Sequence, residues 1–563
     1  MRLRHRSAPS RATVEGTSRW PWWPIIAIHF CLVAVPTLGA AQVPARIQSL
    51  VDAGAVEGMS WPNFRAQQAS VREFYAAAAY APAWFRGGTF SPQAISMIQL
   101  FQSASKKGLE PEDYDASRWD ARRQALQRSG ADIAGFDVAL TVCAMRYVSD
   151  LSVGRVNPKQ VGLGLSVEHR KYDLAQFLRT QVLTAADASA VLERIEPQFP
   201  AYRRTEDAMS RYVELARKDD GEKLPPSAKP IDPGQSYAGL ARLTRLLRLV
   251  GDLPPEAPGE ATPATYSGPV VEAVKRFQRR HGLKDDGRLG ASTLKEMNVP
   301  LADRVHQLQL ALERWRWLPS AFDAPPIIVN VPDFHLRALN ADNTVGMDMR
   351  VVVGKAMTDT PIFSRDMTYV VFRPYWTVPP GIMRRSILPS IRKNPDYIAA
   401  NRYEVTTRDG TVVTSGPISD DVLAQLQAGK LSVRQKPGPK NALGLVKLMF
   451  PNEYHVYLHS TPATELFALE RRAFSAGCIR VEKPAELAAW VLRSDPGWPL
   501  ERVQKAMESG PDNVTVRLAQ PIPVFIVYAT ALAYPDDEVH FYTDLYGHDV
   551  KLSAALAKRH QSS

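Results

Sequence analysis

At 563 residues the chain is too long for one ordinary hydrophobic core and predicts three or more packed units. Its 45% hydrophobic and 23% charged content excludes a disordered or fibrous protein. The net charge is +11; residues 1–41 hold five arginines against Glu15, or +4, leaving +7 for the rest, a balance suited to anionic envelope polymers. Because the cations are scattered rather than gathered in a stripe, no nucleic-acid partner is expected.

The start of the chain reads as an export signal. Arginines precede an apolar run, Ile25–Leu38, and the small residues Gly39-Ala40-Ala41 follow it, which predicts cleavage after Ala41. The run falls short of the roughly 20 apolar residues of a membrane span. An uncleaved anchor is the competing reading; after cleavage no stable membrane span is expected. Of three cysteines, Cys31 leaves with the signal. Cys143 sits in an apolar helical pattern (Val138, Leu140, Val142, Met145) and reads as an inert buried thiol. Cys478 has no such setting. A Cys143–Cys478 disulfide is the alternative and would abolish any thiol chemistry.

Residues 46–235 predict a helical scaffold, with three-to-four apolar spacing over Phe64–Tyr80, Pro92–Lys107, Ala134–Leu151 and Tyr172–Leu183. A Pro-rich linker, Lys223–Pro233, follows. Residues 236–300 form a second unit. Tyr237–Val250 is an amphipathic helix and Asp252–Pro263 a Pro-rich insertion. Then Val270, Val274 and Phe277 share a helical face, Asp286-Gly287 marks a turn, and Ala291–Met297 is a short helix. The AVKRFQ…HGL…DG…TL pattern resembles the three-helix peptidoglycan-binding module; the insertion after the first helix departs from its compact form.

Residues 301–533 predict a third unit. A helix over Leu301–Trp317 gives way to strands at Ile327–Val331, Met349–Val353, Met367–Phe372, Leu443–Met449 and Tyr454–His459. Residues 379–440 interrupt the series with Pro389, Pro395, an Asp409-Gly410 turn and a helix near Asp420–Ala428, which reads as a capping lid. Residues 534–563 are a C-terminal extension. The expected fold is multidomain α+β: a helical scaffold, a small three-helix module, and a β-rich domain with an inserted capping subdomain.

The chemistry concentrates between His459 and Arg480. A thiol is a nucleophile as its thiolate and needs a base or a positive field. Cys478 is the candidate nucleophile and His459 the candidate base. Gly477 permits a tight turn and lets main-chain N–H groups face an oxyanion. Arg480, two residues on, faces the same side as Cys478 and could hold a substrate carboxylate or favour the thiolate; a structural ion pair is its bland alternative. On an extended Tyr454–His459 strand, His455 and His459 would stand about 13 Å apart. That spacing argues against a shared metal, so no metal or other cofactor is expected.

The H-x(15)-S-x-G-C-I-R pattern resembles the signature of the L,D-transpeptidase catalytic domain of the YkuD type. The likeness continues through KPGPKNALGLVKLMFPNEYHVYLHSTP and PIPVFIVYATA. With the units before it, nearly the whole mature chain resembles the large Gram-negative periplasmic members. Many relatives have a second histidine where this chain has Ala476, so His459 must act alone. The resemblance implies that the carbonyl of Ser460 orients His459. It also implies a thioester route from stem tetrapeptides to 3→3 cross-links, peptidoglycan stems and glycan as partners, acylation by carbapenem-type inhibitors, and periplasmic, wall-associated placement. Tyr375, Trp376, Asn441 and Gly444 are candidate substrate-lining positions, the aromatic pair being equally explicable as core. Two alternatives share the site: an envelope cysteine hydrolase, and a wall-binding protein with a dead centre.

Overall fold

A computed structural model of the chain describes residues 42–129, 132–167, 171–256, 265–394 and 396–559. The expected export signal, the insertion from residue 257 onward, and Pro395 lie outside them. The architecture is multidomain α+β.

The N-terminal core is built around the helix Ile133–Val153, which is buried on almost every side. Its sequence is apolar all round, the pattern of a central rather than a surface helix. Asp132 caps it by accepting a bond from the Gly135 amide at 2.9 Å. The helix stops at Gly154, φ +81°, where a Cβ would press on Glu313 Oε1 at 2.7 Å. Asp137 on this helix is buried, yet it accepts from the Tyr75 hydroxyl and the Ala83 and Trp84 amides. Gln68–Ala76 and Pro92–Gln102 are helical as the spacing predicts. Tyr172–Leu183 is instead a single turn, Leu174–Phe177, running into a π turn, Leu178–Val182. Cys143 is buried and, like Cys478, is a free thiol.

The cores do not follow chain order. The helix Pro200–Lys218 packs against Leu301–Trp315 and the C-terminal strands, sharing one apolar cluster with Leu308, Leu312, Phe525 and Phe541. Residues 224–297 have a core of their own, with Val270, Val274 and Phe277 all inward. The helix Ala291–Met297 stands where the sequence places it.

Nine strands form the β-rich unit: β1 Ile327–Asn330, β2 His335–Leu339, β3 Val345–Gly354, β4 Phe363–Phe372, β5 Val446–Met449, β6 Leu458–His459, β7 Ala473–Ser475, β8 Ile479–Val481 and β9 Val514–Val527. The order β3-β8-β6-β5-β4-β9-β1-β2 closes on itself, because β2 also pairs with β3; β7 adds to β3 from outside the ring. Alternate residues point inward, among them Val351, Val353, Val370, Leu448, Leu458, Ile479 and Val524. Each such side chain contributes about 1.5–3 kcal/mol through burial.

Between β4 and β5 the chain builds a separate four-stranded sheet from Trp376–Thr377, Tyr403–Thr406, Val412–Thr414 and Ser432–Gln435. It has its own apolar core, including Met383, Ile391, Ile398 and Val433. The C-terminal extension is no appendage. Its helix His548–Arg559 buries Leu552 and Leu556 in the barrel core, and Arg559 pairs with Asp150 of the central N-terminal helix at 2.9 Å.

The expected strand Tyr454–His459 shrinks to Leu458–His459. Asn452 is the reason. Its side chain accepts from the Tyr454 and Val456 amides and donates to the Phe450 and Val456 carbonyls, replacing the bonds a strand would make. His455 then sits at φ +55°, outside any extended segment. The 13 Å separation inferred from an extended strand therefore does not apply.

Candidate active site

β6 and β8 lie side by side and parallel, with Leu458 opposite Ile479 and His459 opposite Arg480. Leu458 and Ile479 point into the barrel and are fully buried. By alternation, His459 and Arg480 share the outer face, and Cys478 and Tyr457, one step earlier, join them. The imidazole and the thiol are thus diagonal neighbours on one surface.

His459 is 4% exposed. Its Nδ1 lies 2.5 Å from the carbonyl oxygen of Ser460, so the proton on Nδ1 is donated there and Nε2 keeps its lone pair. Burial, and then the charge of Arg480, push the imidazole down to about 3, while the carbonyls of Ser460 and Leu443 oppose that shift. Burial also raises the Cys478 thiol; the main chain and hydroxyl of Tyr457, followed by Arg480, act the other way. The resting pair is therefore neutral thiol and neutral imidazole. Cys478 Sγ donates weakly to the His455 carbonyl at 3.7 Å.

The turn Ser475–Cys478 is fixed from behind. Gly477 has φ +119°, a left-handed-side conformation that a side chain disfavours. Its amide donates to Ser475 Oγ at 3.1 Å and its carbonyl accepts from Thr360 Oγ1 at 2.9 Å. Thr358 Oγ1 donates to the Ser475 carbonyl at 3.1 Å. The Gly477 amide is thus spent on the turn. The Cys478 amide makes no such bond among the described residues.

Residues 325–504, which contain this site, match the family model "L,D-transpeptidase catalytic domain", of the YkuD type. The chain carries an L,D-transpeptidase catalytic domain. Residues 239–297 match a "Putative peptidoglycan binding domain" and residues 69–209 a "Scaffold domain". The chain is also 31% identical over 263 residues to a Haemophilus influenzae protein named "Putative L,D-transpeptidase", covering 47% of this chain and 51% of that protein. It therefore spans about half the length of the curated relative it matches.

Within the transpeptidase domain, the Arg480 side chain makes no hydrogen bond or ion pair among the described residues, and its Nε is buried without a partner. Glu465 is the one carboxylate whose charge acts on it. Gly444, φ +62°, lies against the histidine's turn: a Cβ there would stand 2.4 Å from Ser460 Oγ. Asn441 is 1% exposed, and its amide donates to the carbonyls of Pro374, Gln435 and Lys436, so it knots the 435–443 loop rather than facing a ligand. Trp376 belongs to the separate four-stranded sheet, opposite Gln435 and against Tyr403. The Arg434 guanidinium covers the Tyr375 ring at 4.4 Å.

Two site residues escaped the sequence reading. Tyr457 stands 5.7 Å, ring to ring, from His459 and touches the thiol. Lys447 is the register partner of His459 on β5, has its pKa lowered by burial, and lies 5.9 Å over the Tyr457 ring. The available signal was strand alternation: Tyr457 is two residues from His459. What the sequence lacked was the pairing of β6 with β8, which brings Tyr457 to the Cys478 strand.

Proposed function

We propose that this protein forms 3→3 cross-links in peptidoglycan by a cysteine thioester mechanism, acting in the periplasm after export. The observation that carries the reading is the shared outer face of β6 and β8. It presents a part-buried thiol, an imidazole with free Nε2, and an unpaired guanidinium to one substrate.

Arg480, on the far side of His459 from Lys447, holds the terminal carboxylate of a stem tetrapeptide. Cys478 passes its proton to His459 Nε2 while Sγ attacks the carbonyl before the terminal D-alanine. The Cys478 amide stabilises the oxyanion. The imidazolium returns the proton to the departing D-alanine amine, leaving a thioester. The side-chain amine of a second stem then attacks. Its proton goes to His459 and on to the thiolate, which leaves as the new amide forms.

Substrate binding also corrects the base. Arg480 depresses His459, and a bound carboxylate neutralises Arg480, so the imidazole becomes more basic when substrate is present. The capping sheet between β4 and β5 would exclude water and favour the amine acceptor. Carbapenems, as acylating mimics of the D-alanyl end, would be trapped on Cys478.

The deciding experiment is intact mass and product analysis of the protein with purified disaccharide tetrapeptide. The expected result is a Cys478 thioester followed by cross-linked dimers. Shortened monomers alone would make the protein a hydrolase, and the absence of any adduct would leave a wall-binding protein.

A further inference from the structure

A cleft of about 520 Å³ opens between the 239–297 module, strand β2 of the barrel and the C-terminal extension. That volume lies within the usual range for small-ligand sites. We propose that this inter-module cleft binds the glycan backbone of peptidoglycan, a neutral chain of N-acetylated amino sugars, and so presents its stem peptide to the neighbouring thiol. The proposal rests on the transpeptidase reading for its biological sense, but not for its test.

Three partly exposed aromatic rings line the cleft: Phe334, Tyr534 and Tyr542. Flat rings with polar tips suit sugars, whose axial faces are apolar and whose edges carry hydroxyls. The tyrosines are held by a continuous polar network. Arg337 donates to the Tyr534 hydroxyl at 2.9 Å, that hydroxyl meets Tyr542 at 3.4 Å, and Tyr542 meets His540 Nδ1 at 3.2 Å. Four guanidinium and four carboxylate side chains line the walls. That balance favours an uncharged ligand rich in hydroxyls and amides over an anionic one.

Phe334 adds a second, independent sign. It has φ +58°, a conformation that is an outlier for a bulky side chain, and such strain collects at binding sites. The turn is imposed by bonds from the Phe334 amide to the Val331 carbonyl and from the His335 amide to Asp333 Oδ1. Arg472 backs the ring at 5.4 Å. On the opposite wall, the HGL tripeptide of the 239–297 module packs its Gly282 on the Tyr542 ring, where a Cβ would stand at 3.2 Å.

The cleft is also in the right place. Its wall at Glu470–Arg472 leads through β7 directly into the Ser475–Cys478 turn. Fully extended, Arg472 to Cys478 spans at most about 20 Å, and a tetrapeptide stem reaches about 14 Å. A stem of that reach covers most of the longest possible path from the cleft wall to the thiol.

The test uses full-length Cys478→Ala protein and soluble N-acetylglucosamine oligomers as the neutral glycan probe, with free tetrapeptide as the second probe. Tyr542→Ala should weaken glycan binding at least tenfold. The double variant Glu470→Ala/Arg471→Ala, at exposed positions, should weaken it severalfold without threatening the fold. In the Cys478 parent, both sets should leave acylation by soluble tetrapeptide unchanged. Glycan binding that survives both sets of changes, or binding of free tetrapeptide but not of glycan, overturns the proposal. If acylation fails throughout while glycan binding responds to the variants, the cleft stands and the transpeptidase reading falls.

Discussion

His459 on β6 and Arg480 on β8 are register partners on adjacent parallel strands, with the guanidinium beside a buried imidazole. The cation suppresses protonation of the base it neighbours. Arg480→Gln should therefore raise the His459 pKa from about 3 and move the acid limb of Cys478 alkylation to higher pH. It should also cost about 1.5–3 kcal/mol of substrate binding, or roughly 10- to 100-fold in KM. A pH profile of iodoacetamide labelling, with steady-state kinetics on stem tetrapeptide, reads both.

The same burial governs acid stability. The folded His459 pKa lies below its ordinary 6.5, so between pH 6.5 and about 3 the unfolded chain binds the extra proton. Stability contributed by this residue is complete above pH 6.5 and is lost as pH falls through that window. Asp113 behaves in the opposite sense. Burial and the charge of Asp150 raise it to about 7, so its ionisation costs stability as pH climbs from about 4 to 7. Asp113→Asn should raise Tm by about 3 °C or more at pH 8 and have little effect at pH 4. Thermal melts at the two pH values check this.

Two glycines near the site should fail differently. At Gly477 a Cβ meets nothing closer than the Asp359 carbonyl at 3.6 Å, so Gly477→Ala carries only backbone strain, roughly 1–3 kcal/mol. The protein should fold and lose at least tenfold in kcat. At Gly444 the added carbon would collide with Ser460, whose carbonyl orients the imidazole. Gly444→Ala should lower both Tm and Cys478 reactivity. Melting curves beside thiol labelling separate the two.

A hydroxyl relay supports the Ser475–Cys478 turn from the far end of the chain. Tyr546 donates to the Gly354 carbonyl at 2.7 Å and accepts from the Thr360 amide at 3.3 Å. Thr360 Oγ1 accepts from the Gly354 amide and donates to the Gly477 carbonyl, both at 2.9 Å. Thr360→Val leaves two buried main-chain groups unpaired, about 1–3 kcal/mol each. We expect kcat to fall about tenfold with KM unchanged, and Thr360→Ser to restore it. An unchanged kcat in the valine variant would remove Thr360 from the positioning of Cys478.

Local sequence by itself determined a good deal. Helical periodicity located the 270–277 face and the 291–297 helix, and strand patterning located β1, β3, β4 and β5, because each depends on neighbours within a few residues. The spacing of His459, Gly477, Cys478 and Arg480 marked where to look for chemistry. Tertiary structure alone decided the rest. The Asn452 side chain broke the expected Tyr454–His459 strand, and only the pairing of β6 with β8 brought Tyr457 to the thiol, while that of β6 with β5 set Lys447 opposite His459. The same holds for Asn441, drawn inward by carbonyls of Pro374, Gln435 and Lys436, and for Tyr546, some 70 residues past Cys478 yet braced behind its turn. Contacts between residues so far apart in the chain leave no periodic trace, since the partners are chosen by packing and not by spacing.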